Sequence, residues 1–205
     1  MKSQVAPDAH SRRKAIAMAG ATLCSLLGCS KNDVPAASSP SAAEAPAADV
    51  NRRAFDAAAG GGSGFLVGQA VAARTLLVFF DPQCPHCATL WNAAKPLRNR
   101  IRMVWMPVAF IAPASGPQGA MLLDASDGTA LMDEHESLLA SGRGGLTAVA
   151  APAAQLEKTK ANTALWTSLQ ATSVPHLVYR AGADGPYGQQ SGGAATAELE
   201  RMLGL

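Results

Sequence analysis

Six residues, TLLVFF (75–80), run straight into DPQCPHC (81–87), and this junction constrains the chain more than any other stretch. An unbroken apolar run of that length reads as a strand buried on both faces. Asp81 and Pro82 break it, and Cys84 then stands where a helix reaching about Arg98 begins, with Pro96 set to kink or end that helix. A sulfur in that place faces unpaired backbone N–H groups and the positive end of the helix dipole, both of which favour thiolate over thiol. Cys87, one helical turn further in, should be the more buried sulfur, placed to attack a mixed disulfide formed on Cys84. Pro85 suits the first helical turn, where its missing N–H would have had no partner. His86, when protonated, adds positive charge beside the thiolate and pushes the pair toward being an oxidant. Asp81 either caps the helix or tunes the thiolate, with the cap as the favoured reading.

The N-terminus decides how many thiols there are to consider. Arg12, Arg13 and Lys14 precede an apolar run over 15–28, the pattern of a secretory signal. The run is shorter than the roughly 20 residues of a membrane span. LLGC (26–29) resembles the bacterial lipoprotein signal, in which Cys29 would be lipidated and become the first mature residue. SRRKAI (11–16) resembles a twin-arginine export motif without its usual Phe-Leu pair. Residues 30–50, rich in Ala, Ser and Pro, read as a flexible tether. The expected organisation is therefore a signal over 1–28, a tether over 29–50 and a folded domain over 51–205. Of four cysteines, Cys24 leaves with the signal and Cys29 is lipidated, so Cys84 and Cys87 remain as thiols in an oxidising compartment.

Other uses of the pair fare worse. Haem attachment needs a histidine after the second cysteine, and Ala88 stands there. A structural zinc site needs four ligands, and beyond the pair the mature chain offers only His86, His135 and His176. A structural clip between such close neighbours would stabilise little. A redox pair, needing no cofactor and no metal, accounts best for the residues. A copper-binding or delivery module using the same thiolates with a nearby His or Met is the alternative. Met103, Met106, Met121 and Met132 read most simply as core, Trp91 as core or groove wall, and His176 as a structural strand residue or a substrate contact. A net charge of +2 gives no field for nucleic acid. The glycine run GGGSG (60–64) lacks the Lys-Ser/Thr of a phosphate loop and reads as a turn.

Along the rest of the chain, NRRAFDAAA (51–59) suggests a short helix, and FLVG and IRMVWMPVAF (101–110) suggest strands, the latter central. Helical spacing over 117–139 breaks at SDG, and Pro152 fits the first turn of a longer helix. PHLVYR, a turn at ADG, and PYGQQSG read as a hairpin, and TAELERMLGL as a closing helix. The order implies an α/β layer architecture with helices on both faces of a small sheet.

TSVPHLVY (172–179) places a proline at the mouth of a strand far from the cysteines. A C-x-x-C at the head of a helix after a buried strand, with a later Val-Pro before another strand, resembles the thioredoxin fold. That resemblance implies a cis Val174–Pro175 bond beside Cys84 and a substrate-holding ledge formed by Val174 and Pro175. FFDPQCPHCATLWNAAKPL, MPVAFIAPAS, DASDGTALMDEHES and VPHLVYRAGADGPYGQQSG are similar to the periplasmic disulfide-bond proteins of the DsbC/DsbG branch, DsbG most of all. The similarity runs over about 65–203 and implies a helical insertion between the half carrying the cysteines and the half carrying Pro175. It also implies thiol:disulfide interchange on unfolded or partly folded exported proteins and a membrane redox partner that resets the pair. That branch usually has Tyr where this chain has His86 and Thr where it has Val174; these two residues look more like the oxidant DsbA. The branch also carries an N-terminal dimerisation domain that these residues do not resemble, so a monomer is expected. The direction of exchange is left open.

Overall fold

The computed structural model describes residues 44–147 and 151–205. The expected signal, Cys29 and the tether up to residue 43 lie outside the described residues.

Among the described residues five strands form one sheet: β1 (Phe65–Gly68), β2 (Arg74–Phe80), β3 (Arg102–Pro107), β4 (His176–Ala181) and β5 (Tyr187–Ser191), in the order β1-β3-β2-β4-β5. β2 lies in the middle, and β3, expected to be a central strand, is an interior one between β1 and β2. β2 runs parallel to β3, with Thr75 opposite Arg102 and Phe80 opposite Pro107, and antiparallel to β4, with Phe79 opposite His176. Thr75 and the five residues that follow it are all buried, as an apolar run without alternation requires.

Among the described residues the sheet is flanked by α1 (Glu44–Gly61), α2 (Pro85–Ala94), α3 (Ser115–Asp124), α4 (Gly128–Ala140), α5 (Ala153–Ser168) and α6 (Thr196–Leu203). α2 ends in a single 3-10 turn over Lys95–Leu97, where Pro96 removes a helical N–H. α3, α4 and α5 form the helical insertion between β3 and β4. The two faces part at neighbouring residues of β3. Trp105 meets Trp91 of α2 with ring centroids 4.9 Å apart, while Met106 packs beside Gly62 at the end of α1. Trp105 also meets Phe80 edge-on at 5.5 Å, and Phe65 of β1 reaches both Phe80 and Trp91. Four aromatic rings thus lie directly beneath the turn carrying the cysteines. Met103, Met106 and Met132 are buried in the core, and Met121 packs against it.

The first helix differs from expectation. It begins at Glu44, so the last seven residues of the expected tether are helical, and it runs on into the glycine run. Tertiary packing supplies what composition hides. Ala54, Phe55 and Ala58 are buried, Phe55 meets Tyr187 edge-on at 5.3 Å, and Asn51 donates to the Tyr187 carbonyl. At the other end of the chain, Arg74 donates to the carbonyls of Leu203 and Gly204, closing the C-terminal turn of α6 onto the start of β2.

Trp105 is fully buried at the hub of the aromatic cluster. Trp105→Ala should therefore lower unfolding free energy by about 3–5 kcal/mol, read as a shifted urea midpoint; an unchanged midpoint would show that the cluster does not hold the sheet to α2.

Candidate active site

The turn from β2 to α2 is built by short-range bonds. The Cys84 N–H donates to the Asp81 carbonyl at 2.9 Å, and the Cys84 carbonyl accepts from Cys87 and Ala88. Cys84 is the N-cap residue of α2, in extended backbone, and no side chain caps the helix. Pro85 occupies the first helical position, and both it and His86 are exposed.

Asp81 does not cap α2. Its side chain is completely buried and gathers four donors from elsewhere. Oδ1 accepts from the Gln83 N–H at 2.9 Å and from the Ser115 hydroxyl at 2.6 Å. Oδ2 accepts from the N–H groups of Phe110 and Ile111 at 2.9 and 3.0 Å. Asp81 thus ties the end of β2 to the loop after β3 and to the start of α3. The residue is visible in the sequence, but three of its four partners lie 29, 30 and 34 positions away.

Both cysteines are free thiols and buried, Cys87 more deeply than Cys84. The Cys84 Sγ lies 3.6 Å from the Val174 carbonyl oxygen, and the Val174–Pro175 bond is cis. The distant Val-Pro pair therefore stands against the first cysteine. The Cys84 thiol is lowered from an ordinary 9.0 to about 6. A hydrogen bond from the Cys87 side chain is the largest cause; burial opposes it, and the backbone groups of Cys87 and His86 add to it, with the His86 charge contributing least. Burial pushes the Cys87 thiol far up, and its bond to Cys84 and the nearby Cys84 charge push it further. One proton is shared unequally, so that Cys84 holds the charge and Cys87 keeps the hydrogen.

No family model matches the chain. The thiol:disulfide interchange protein DsbG of Pseudomonas aeruginosa is 30% identical over 141 residues, which cover 67% of this chain and 54% of that protein. The matched part thus spans about half the length of that relative. Among solved structures, the catalytic domain of Proteus mirabilis ScsC superposes with a TM-score of 0.59 at 15% identity, covering 77% of this chain and 96% of the other. The thiol-disulfide exchange protein α-DsbA2 from Wolbachia pipientis gives 0.59 at 16% identity, covering 81% and 98%. Pseudomonas aeruginosa DsbA2 gives 0.53 at 22% identity, covering 66% and 90%. The chain has a thioredoxin fold.

In this thioredoxin fold the helical insertion comes close to the cysteines, and here sequence reasoning missed residues. Gln83 donates to Gln118 of α3 at 2.6 Å and to the Gly144 carbonyl at 3.0 Å. His135 of α4 contacts the Pro82 carbonyl at 2.7 Å. A groove of about 320 Å³ runs between α2 and α4, with Gln83, Pro85 and Ala88 on one wall and Glu136 and Leu139 on the other. Burial pushes the Glu136 carboxyl up to about 7; Lys95 pulls against this, and the charges of Cys84 and Asp133 add to the rise. Nothing in the sequence pairs Glu136 with Cys84 except helical phase within an insertion whose docking is not local.

Of the other residues singled out, Trp91 is core and also donates to Asp133 at 2.7 Å, an acid that Lys95 contacts at 2.9 Å. His176 is buried beside Phe79 and contacts Ser191 at 3.0 Å, a setting among strand neighbours. Among the described residues no three His, Cys, Asp or Glu side chains are grouped to hold a metal.

Two expectations follow. The Cys84 shift from 9.0 to about 6 makes the folded reduced protein release a proton that the unfolded chain still holds between those values. Its stabilising contribution is complete above about pH 9 and is lost as pH falls through about 6, so this group makes the reduced form more stable as pH rises across that window, while the raised Glu136 acts with the opposite sign up to about pH 7. The upward shift of Cys87 acts only above that window, with opposite sign. Urea unfolding of the reduced protein from pH 5 to 9 checks the slope, and a Cys84→Ser variant should flatten it. Asp81→Ala, which strands buried donors, should cost about 3 kcal/mol or more, measured by the same unfolding at pH 7.

Proposed function

We propose that this chain is an exported thiol:disulfide oxidoreductase of the DsbG-like kind, acting on unfolded or partly folded proteins in the periplasm. The observation that carries the reading is the inequality of the two sulfurs: a Cys84 thiol lowered to about 6 beside a Cys87 thiol raised by burial, with the Val174 carbonyl 3.6 Å from the first.

In the reducing direction, the Cys84 thiolate attacks one sulfur of a substrate disulfide. A Cys84–substrate bond forms, the substrate S–S bond breaks, and one substrate thiolate leaves. Cys87 then attacks Cys84 and its proton passes to the departing substrate thiolate. The Cys84–Cys87 disulfide forms and the second substrate thiolate departs, so that the substrate gains two electrons and the pair loses two. The oxidising direction reverses each step. A stabilised Cys84 thiolate is a good leaving group and favours the reduced pair, which supports donation of disulfides over their removal. Val174 and Pro175 would form the ledge along which an extended substrate segment lies. Asp81 positions the turn in this reading, and on the Cys87 thiol its backbone bond, which lowers it, opposes its charge, which raises it. His86 has a minor part in holding Cys84 low. A membrane redox partner would reset the pair, and lipidation at Cys29 would tether the domain to the membrane surface.

Trapping tests the reading. Cys87→Ala should accumulate mixed disulfides with exported proteins on Cys84, resolved by reducing agent and identified by mass spectrometry. Cys84→Ser should lose insulin reduction altogether. Turnover of insulin by Cys84→Ser at the wild-type rate would overturn the assignment.

A further inference from the structure

We propose that His135, on the helical insertion, is a positioning residue for Cys84: as a neutral imidazole protonated on Nε2, it holds the Pro82 carbonyl and the Leu146 N–H at the same time. The proposal deepens the reading of Cys84 as the attacking sulfur and rests on it.

The tautomer follows from the partners. The Leu146 N–H donates to His135 Nδ1 at 3.2 Å, and an N–H can only donate, so Nδ1 carries a lone pair. The ring's one proton is then on Nε2, which lies 2.7 Å from the Pro82 carbonyl and donates to it. The ring is completely buried. Gly145 makes the approach feasible: at φ +84 it takes a backbone shape that favours glycine, and a Cβ there would lie 2.5 Å from His135 Cε1.

The surrounding bonds serve the same end. Gln118 donates to the Gly144 and Leu146 carbonyls at 2.8 and 3.0 Å and accepts from Gln83, which itself donates to Gly144. The three residues between β2 and Cys84 are thus each held from outside the turn. Asp81 is held by the 110–115 loop, Pro82 by His135, and Gln83 by Gln118 and the 141–147 loop. The insertion thereby fixes where Cys84 stands relative to Cys87 and the Val174 carbonyl.

A second proton on the ring would set Nδ1–H against the Leu146 N–H and release one side of the clamp. Burial holds the imidazole below its ordinary range, partly offset by the Pro82 carbonyl. The titratable groups on the elements packed around it are Asp81, Cys84, His86 and Cys87 of the turn and α2, Asp124 of α3, Asp127, Asp133, Glu134 and Glu136 of α4 and its cap, and the exposed Arg143 of the following loop; β1 brings none.

The experiment reads the sulfur directly. Iodoacetamide alkylation of Cys84 is followed against pH by mass spectrometry in the reduced full chain, for wild type, His135→Gln and His135→Leu, with circular dichroism to confirm folding. A glutamine can donate to Pro82 and accept from Leu146, so His135→Gln should keep the wild-type midpoint. His135→Leu should raise the midpoint by about one pH unit, roughly a tenfold lower thiolate-to-thiol ratio at fixed pH. A folded His135→Leu with the wild-type profile overturns the proposal, as does His135→Gln behaving like His135→Leu. If His135→Leu does not fold, nitrogen-15 shifts of wild-type His135 decide: the Nε2–H tautomer at pH 7 supports the clamp, and the Nδ1–H tautomer or an imidazolium overturns it. Failure to reduce insulin would sink the exchange reading and leave the alkylation result intact, so the two failures are distinguishable.

Discussion

The site hangs on one buried carboxylate. Asp81 accepts four hydrogen bonds from uncharged donors, and none of them neutralises it. Oxygens so held are fully satisfied without a cation partner, as a buried polar group requires. The residue is a structural tie: it joins β2, the loop after β3 and the start of α3. On the Cys87 thiol it acts in two opposed ways, its backbone bond lowering the thiol and its nearby charge, the lesser of the two, raising it. A serine or asparagine could supply only part of the tie.

The two sulfurs owe their difference to depth more than to charge partners. Both lie in the first turn of one helix, and both feel its backbone. Burial is the leading influence on Cys87 and a secondary, opposed one on Cys84. Local bonding thus sets the first thiol and packing sets the second. The aromatic rings beneath the turn matter here, because Trp91 and Trp105 close the helix against the sheet. The insertion adds the third support, through Gln83 and Pro82.

What the sequence made legible was local. TLLVFF announced a strand covered on both sides, and the cysteine spacing announced a helix head with one sulfur deeper than the other. The Val174–Pro175 pair was reached through resemblance, since no propensity rule joins residues so far apart. The misjudged features share a cause. The Ala and Pro composition of the start of α1 resembles a tether, and only packing such as the Phe55 contact with Tyr187 shows otherwise. A cap is the commonest use of an aspartate before a helix, whereas three of the four partners of Asp81 come from another connection. His135 and Glu136 carried no signal that an ordinary amphipathic helix lacks; their meaning lies in how the insertion docks.

The order of the strands also has a meaning in time. β2 lies between a strand that follows it closely and one that arrives only after the whole insertion, and Cys84 meets Val174 across 90 residues of sequence. Long-range closure of this kind is slow. While the chain is being made, both sulfurs emerge long before β4 exists to cover them, and the burial that sets Cys87 apart is missing. The two cysteines enter the world as equivalent thiols. They become donor and acceptor of the same proton only when the last third of the chain closes the sheet.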